Sequence, residues 1–250
     1  MFEYRELIRN LTIADLKNRY QNTSLGFLWS LISPLMMALV LWFVFRKLFA
    51  QEQNFAINLI VGIMMWRFFA TATSACLQGI VSKPNLVTKV YIPRQILVLS
   101  SALSGLIGSL LEFVVLIPII YFLMGYLPWT IILYPFIHFI FFLAIYGIGL
   151  LLSSFYVYFR DLSQIWEVLI SILIYCSPII YPMSVVPSYL VKYYMLNPIT
   201  HFVFIYRDVM INGQLPSLTS MVVVLIFALI MLLIGNLVFS KLQRRFAEEI

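Results

Sequence analysis

Charge is what this 250-residue chain has least of: 10% of its residues are Asp, Glu, Lys or Arg, against 63% hydrophobic. Soluble domains carry roughly a quarter charged residues, so an ordinary soluble fold is excluded. The scarcity is regional. Between Arg94 and Arg160 the one formally charged residue is Glu112, and between Asp208 and Lys241 there is none. No glycine is followed by lysine, which excludes a P-loop in this chain. Paired-histidine metal motifs, a Gly-x-Ser-x-Gly elbow and cysteine clusters are equally missing from the sequence. Cys76 and Cys176 each fall in an apolar run, and read as small buried residues and not as a disulfide or metal pair. His138 and His201 stand alone and read as polar packing residues.

What the chain has is apolar length. A bilayer span needs about 20 mostly apolar residues. Six runs qualify, near Leu25–Phe45, Ile57–Val81, Gln95–Met124, Thr130–Tyr156, Gln164–Tyr181 and Leu218–Ser240. The expected fold class is therefore an all-α membrane protein with six transmembrane helices. The third and fourth runs exceed a minimal span, which implies tilt or a helical extension. Ahead of the first run, Tyr4, Leu7, Ile8, Leu11, Leu16 and Tyr20 recur at roughly helical spacing, with Arg5, Arg9, Lys17 and Arg19 between them. Residues 1–22 thus read as an amphipathic helix at the membrane surface, running straight into the first span. Thr12 with Asp15 fits a capping box, which predicts a bend or restart near Asn10–Thr12. About two dozen such residues precede the first apolar run, so a cleaved secretion signal is not expected.

The distribution of Lys and Arg orients the chain. With the N-terminus in the cytoplasm, one side carries Arg5, Arg9, Lys17, Arg19, Lys83, Lys89, Arg94, Arg160, Lys241, Arg244 and Arg245. The other side carries Arg46, Lys47, Lys192 and Arg207. Both termini are expected inside, in a cytoplasmic membrane. The net charge of +6 then describes a basic inner face suited to anionic lipids or an acidic partner surface, and not to nucleic acid.

Two loops stand out. In Ser82–Arg94, SKPNLVTKVYIPR, Pro84 suits a first helical turn and Pro93 limits the other end. Lys83 and Lys89 with Leu86, Val87 and Val90 make this a short amphipathic knob, either a solvated connector or a docking element. On the outer side, Pro178, Pro182 and Pro187 break the fifth helix, yet 189–195 and 198–210 regain apolar helical character. Short helices dipping back into the outer leaflet before the last span are expected there, with Asn212-Gly213 turning into that span. Within the spans, Glu112 reads as a proton relay or a hydrogen-bonding group of the bundle. Arg67 can snorkel outward, pair with Glu112 across helices, or face an aqueous path. Those readings stay open.

Five separated segments carry a family resemblance: Lys17-x-Arg19-Tyr20-x-x-x-Ser24-Leu25-Gly26-x-x-Trp29-x-x-x-x-Pro34, Lys89-Val90-Tyr91-Ile92-Pro93, Tyr158-Phe159-Arg160-Asp161-Leu162, Pro178-Ile179-x-Tyr181-Pro182, and Asn197-Pro198-x-Thr200 with Tyr206-Arg207. In this order, over essentially the whole chain, they resemble the permease subunit of bacterial polysaccharide exporters of the ABC-2 class. The resemblance implies a homodimer working with two copies of a separate P-loop ATPase, which would hold the ATP and Mg; the permease itself would carry no cofactor and perform no catalysis. It implies an interface helix (residues 1–22), a transmembrane domain (23–250), a coupling helix (about 82–94) and external re-entrant helices (about 188–211). The substrate implied is a polysaccharide on undecaprenyl diphosphate, crossing a channel at the dimer interface lined by the first and fifth helices.

On that reading Lys83, Pro84, Leu86, Lys89 and Tyr91 would couple to the ATPase. Aromatic faces stack on sugar C–H faces without fixing one register. Trp29, Trp42 and Phe43 in the first span, with Phe27, and Trp166, Tyr175 and Tyr181 in the fifth are the lining candidates, against interfacial anchoring in lipid. Arg5, Arg9, Lys17 and Arg19 are the cations available to a lipid diphosphate or to inner-leaflet phospholipid. Competing readings are a permease for a small lipid or drug, a glycan-transferring enzyme using Asp161, Glu167, Asp208 or His201, and an ion-coupled flippase resting on Glu112.

Overall fold

The apolar runs fold as helices because a chain in lipid must satisfy its backbone hydrogen bonds internally. The computed structural model describes residues 4–20, 26, 28–50, 52 and 54–249, and no strand occurs among the described residues. Helix α1 spans Arg5–Tyr20, α2 Leu28–Phe45, α3 Phe55–Gln78, α4 Pro84–Lys89 and α5 Gln95–Met124. A 3-10 turn, Trp129–Leu133, leads into α6, Tyr134–Tyr158, and then α7, Leu162–Leu173. After these come α8 (Ser188–Leu196), α9 (Pro198–Arg207), a π-turn (Asp208–Asn212), α10 (Leu218–Leu242) and α11 (Phe246–Glu249). Met1–Glu3, Gln21–Leu25 and Phe27 lie outside the described residues, and with them part of the expected interface helix and the Ser24-Leu25 portion of the first motif.

Helices α3 and α6 are the most buried and form the centre. Around them pack α2 and α5 on α3, and α10 on α6, while α9 enters between α3, α6 and α10. Small residues set the tightest crossing. A Cβ built on Gly147 of α6 would stand 2.4 Å from the Met231 carbonyl carbon, and one on Gly235 of α10 would stand 2.3 Å from the Gly147 oxygen. The two backbones therefore touch, as membrane helices do when glycine faces glycine.

The elements sort to two ends. At one end, here the basal end, α4 meets α11 and the 159–161 turn meets the chain terminus, where Arg160 Nη2 donates to the Glu249 carbonyl at 3.4 Å. At the other, the apical end, Thr130 Oγ1 donates to the Val209 carbonyl at 2.7 Å, and Ser184 Oγ donates to Glu52 Oε1 at 2.6 Å. Gly213, at φ 67°, supplies the left-handed turn expected after Asn212.

One expectation is met in part and one is corrected. Five helices are long and apolar enough to cross a membrane among the described residues, and a shorter apolar helix lies in the fifth expected run. The fifth expected run, Gln164–Tyr181, is a helix only over its 12 residues Leu162–Leu173, a rise of about 18 Å against a hydrocarbon core of about 30 Å. Pro178 has no N–H to continue the ladder and disfavours helical geometry at Ser177, so residues 174–179 leave the helix as turns. The bend near Thr12 is absent. Helix α1 is continuous, because Thr12 Oγ1 donates back to the Ile8 carbonyl at 2.7 Å and does not cap a new turn.

The Gly147–Gly235 crossing yields a stability prediction. Gly147→Val should lower stability by about 1–3 kcal/mol, the usual cost of overpacking, seen as a fall in the thermal midpoint of the purified protein. Leu229→Ala, on the exposed face of α10, should change that midpoint far less.

Candidate functional site

The basal end is organised around one carboxylate. Asp15 Oδ2 accepts from Lys83 Nζ at 2.7 Å, with the two side chains 17% and 15% exposed. The hydroxyls of Ser100 and Ser101 reach the same oxygen at 3.5 and 3.1 Å, and Lys83 Nζ also meets Ser100 Oγ at 3.3 Å. Helical spacing explains why α1 can do this. Ile8, Thr12, Asp15 and Arg19 recur at i, i+4, i+7 and i+11, one face, and that face packs along α5.

The expected coupling residues divide between anchoring and display. Pro84 opens α4 at its first position, Leu86 packs against the core, and Val87 is buried. Lys83 points inward to Asp15, whereas Lys89 and Val90 are exposed and Tyr91 is fully so. The C-terminal segment backs this element. Arg94 Nη1 donates to the Gln243 carbonyl, α11 packs beside α4, and Phe246 is fully buried edge-on to Tyr158 and Phe239. Sequence reasoning missed Asp15 and the α11 brace. The available signal was that Asp15 is an acid on the more buried face of α1, whose other acid, Glu6, lies on the exposed side.

The four basic residues of α1 are not one group. Arg5, Arg9 and Lys17 are exposed, while Arg19, about 200° around the helix from Lys17, is half-buried. Arg19 lines a cavity of about 390 Å³ with Arg67, Thr71 and Ser74 of α3 and Gly105, Gly108, Ser109 and Glu112 of α5. Arg67 Nε lies 3.4 Å from Glu112 Oε1, so of the three readings left open for Arg67 the ion pair across helices is the one observed. Ser30 of α2 also hydrogen-bonds Glu112.

Beside that cavity runs a buried polar chain that sequence reasoning did not find. Ser109 Oγ donates to the Leu106 carbonyl at 2.9 Å and lies 2.7 Å from His138 Nε2; His138 Nδ1 lies 2.7 Å from Tyr206 Oη. With the serine proton committed, His138 donates through Nε2 and accepts the tyrosine proton at Nδ1, which satisfies the neutral ring. His201 is held by Ser220 Oγ at 3.0 Å and the Met195 carbonyl at 2.9 Å. Both histidines are thus engaged in packing contacts. Asp208 is bonded locally by Asn212 at 2.9 Å, and no cluster of His, Cys, Asp or Glu among the described residues could hold a metal.

The aromatic candidates also differ among themselves. Trp29, Trp42, Phe43 and Tyr175 are exposed on this chain, with the Arg46 guanidinium 5.3 Å and 5.1 Å over the Trp42 and Phe43 rings. Trp166 instead donates from Nε1 to Thr73 Oγ1 at 3.1 Å, and Tyr181 pairs with Tyr194 at 2.6 Å between their hydroxyls. On α7, Gln164, Glu167 and Ser171 share one exposed face with Val168 and Ile172, and Tyr175 continues it in the turn beyond the helix.

A bundle of apolar helices, polar at its basal end, defines a multi-pass membrane protein. The chain belongs to the ABC-2 type transporter family, whose pattern it matches over residues 6–211. It is 29% identical over 248 residues to the O-antigen export system permease protein RfbA of Klebsiella pneumoniae, covering 97% of this chain and 94% of that protein. It is 27% identical over 253 residues to the protein of the same name from Myxococcus xanthus, covering 100% and 97%.

The Asp15–Lys83 pair is neither fully exposed nor fully buried, so breaking it should cost about 1–3 kcal/mol, between the surface and buried limits. Lys83→Met should accordingly speed amide hydrogen exchange in α1 and lower the thermal midpoint, whereas Lys89→Met should change neither.

Proposed function

We propose that this chain is the membrane permease of an ATP-driven exporter that moves an O-antigen-like polysaccharide, carried on a polyprenyl diphosphate, across the cytoplasmic membrane. The observation that carries this reading is the likeness, over nearly the full length of both chains, to permeases of O-antigen export systems. The permease acts as a homodimer with two copies of a separate P-loop ATPase, which supplies ATP and Mg. Its basal end faces the cytoplasm with both termini, in keeping with the basic residues gathered there. Six spans follow if 162–181 makes the fifth crossing. In support, Arg160 is bonded at the basal end while Ile179 accepts from Arg207 Nη2 at 3.1 Å near the apical helices.

Work enters through α4. Nucleotide binding draws the two ATPases together and pushes on the displayed Lys89 and Tyr91. Because Lys83 is tied to Asp15, α1 moves with α4, and the push reaches α5 through Ser100 and Ser101. At the apical end α8 and α9 act as re-entrant helices near the exit; the burial of α9 and the exposure of α8 support that role.

The polymer path runs along the exposed face of α7 and the exposed aromatics of α2. A carboxylate, an amide and a hydroxyl on the exposed face of an intramembrane helix, with the Tyr175 hydroxyl just beyond it, are costly against lipid. Their placement favours a hydrated path shared with a second copy, where Tyr175 and Trp29 stack on sugar faces and Ser171 exchanges hydrogen bonds. Trp166 and Tyr181 act as packing residues behind that wall.

Two predictions test the reading. In vesicles containing permease and ATPase, Lys89→Glu or Pro84→Gly should lower glycan export about tenfold while membrane insertion persists and ATP hydrolysis continues; unchanged export would remove α4 from the docking role. Tyr175→Ala should slow export more than it lowers ATPase activity, and an equal fall in both would mark it as a packing residue.

A further inference from the structure

The cavity between α1, α3 and α5 holds charges that the ion pair does not explain. Two guanidinium groups, Arg19 and Arg67, and one carboxylate, Glu112, line the same 390 Å³ space. Both Arg67 and Glu112 sit within helices long and apolar enough to span a membrane. A pair that served only to neutralise itself would not need a second arginine, and intramembrane charges are costly unless used. Arg19 makes no ion pair within 4.0 Å among the described residues and acts on Glu112 only at longer range, so the formal charges of the three groups sum to +1. Apart from Phe68 the surrounding groups are small or hydroxylic: Gly105, Gly108, Ala75, Thr71, Ser74 and Ser109. Such a lining leaves room beside the arginines and offers hydroxyl oxygens at the wall.

We propose that this cavity is a binding site for a phosphate-type anion, gripped by Arg19 and Arg67, with Glu112 holding Arg67 in its absence. The chemistry is that of a phosphoryl group: guanidinium forks match its oxygens, and charge-assisted bonds from two arginines in a partly buried space are stronger than neutral ones. Glu112 serves as the internal stand-in. Ser30 and Arg67 fix its carboxylate, and an entering anion competes with it for the Arg67 fork.

Delivery of Arg19 depends on α1. Asp15 is fixed at the level of Ser100 and Ser101, and one turn further along α1 Arg19 reaches the level of Gly105–Glu112 on α5. The element proposed to move with the ATPase thus also carries half of the anion grip, so a shift of α1 would alter anion affinity. In this respect the inference rests on the export reading, with the diphosphate of the carrier lipid as the ligand it would hold. The grip itself stands on the cavity geometry.

The test uses the full chain without ATPase, in phosphatidylcholine nanodiscs, so that no P-loop contributes a phosphate site. Two probes are titrated separately, inorganic pyrophosphate in the water phase and undecaprenyl diphosphate in the bilayer. Arg67→Gln alone leaves Glu112 without its partner and risks misfolding, so the decisive variant is Arg67→Gln with Glu112→Gln, a neutral pair of similar shape. The double variant and Arg19→Gln should each weaken binding by about tenfold or more, while the double variant keeps its thermal midpoint. Glu112→Gln alone should tighten binding. Binding of the lipid alone supports a site reached from the bilayer, and binding of both probes supports one also open to water. Equal affinity in wild type and double variant, or no binding of either probe, overturns the proposal. Failure of the export reading shows separately, as absence of ATP-dependent glycan transport by the wild-type transporter, and would leave a measured anion site standing.

Discussion

One ion pair decides how the basal end behaves. Lys83 and Asp15 meet at 2.7 Å with most of both side chains out of solvent. In that setting the pair is screened less than a surface contact, and losing either partner strands a charge beside the apolar start of α5. The consequence is mechanical. The amphipathic helix α1, the knob at α4 and the first turns of α5 share a single oxygen as their junction. The C-terminal segment adds a second brace, through Arg94, Gln243 and the fully buried Phe246. The edge of α4, Lys89 to Tyr91, is exposed at this end, as are Arg5, Arg9 and Lys17 of α1.

Inside the bundle the apolar surroundings impose a different rule: each charged or polar group needs a partner within reach. Arg67 finds Glu112, Ser109 finds His138, and His138 finds Tyr206. These contacts join α3 to α5, α5 to α6 and α6 to α9, so the polar groups knit together the helices that the apolar core packs. Where no side chain intervenes, at Gly147 and Gly235, backbones close up directly. The same rule makes the exceptions informative. On the exposed face of α7 Ser171 bonds only back to the Glu167 carbonyl, and Arg19 of the α1–α3–α5 cavity makes no ion pair within 4.0 Å among the described residues; the proposed polymer path and anion site rest on these two places.

Much of the fold was legible in the sequence because lipid allows so few backbone solutions. Hydropathy places α5 at Gln95–Met124 to the residue, and Pro84 marks the start of α4. The fifth apolar run is longer than its helix, since apolar character continues past Ile174 while Pro178 ends the helical ladder. Thr12 and Asp15 fit a local pattern, yet Asp15 is used by Lys83, far along the chain, and Thr12 by the turn before it. The site is less legible than the fold for the same reason. The Ser109–His138–Tyr206 chain and the Arg19–Arg67–Glu112 cavity join residues from separate helices, and no spacing within one helix announces them. Trp166 and Tyr181 look like their neighbours in the aromatic set, and only their hydrogen bonds to Thr73 and Tyr194 separate them from it.

The proposed export mechanism therefore reduces to a claim about transmission: force applied at Lys89–Tyr91 reaches the membrane helices because α1 and α4 are locked together. The most direct measurement is glycan exported per ATP hydrolysed, in vesicles, for Asp15→Lys, Lys83→Asp and the two combined. The account predicts that each reversal alone lowers the ratio sharply while ATP hydrolysis continues, and that the combined swap restores it in large part by re-forming the pair with opposite polarity. A ratio unchanged in both single reversals would contradict it.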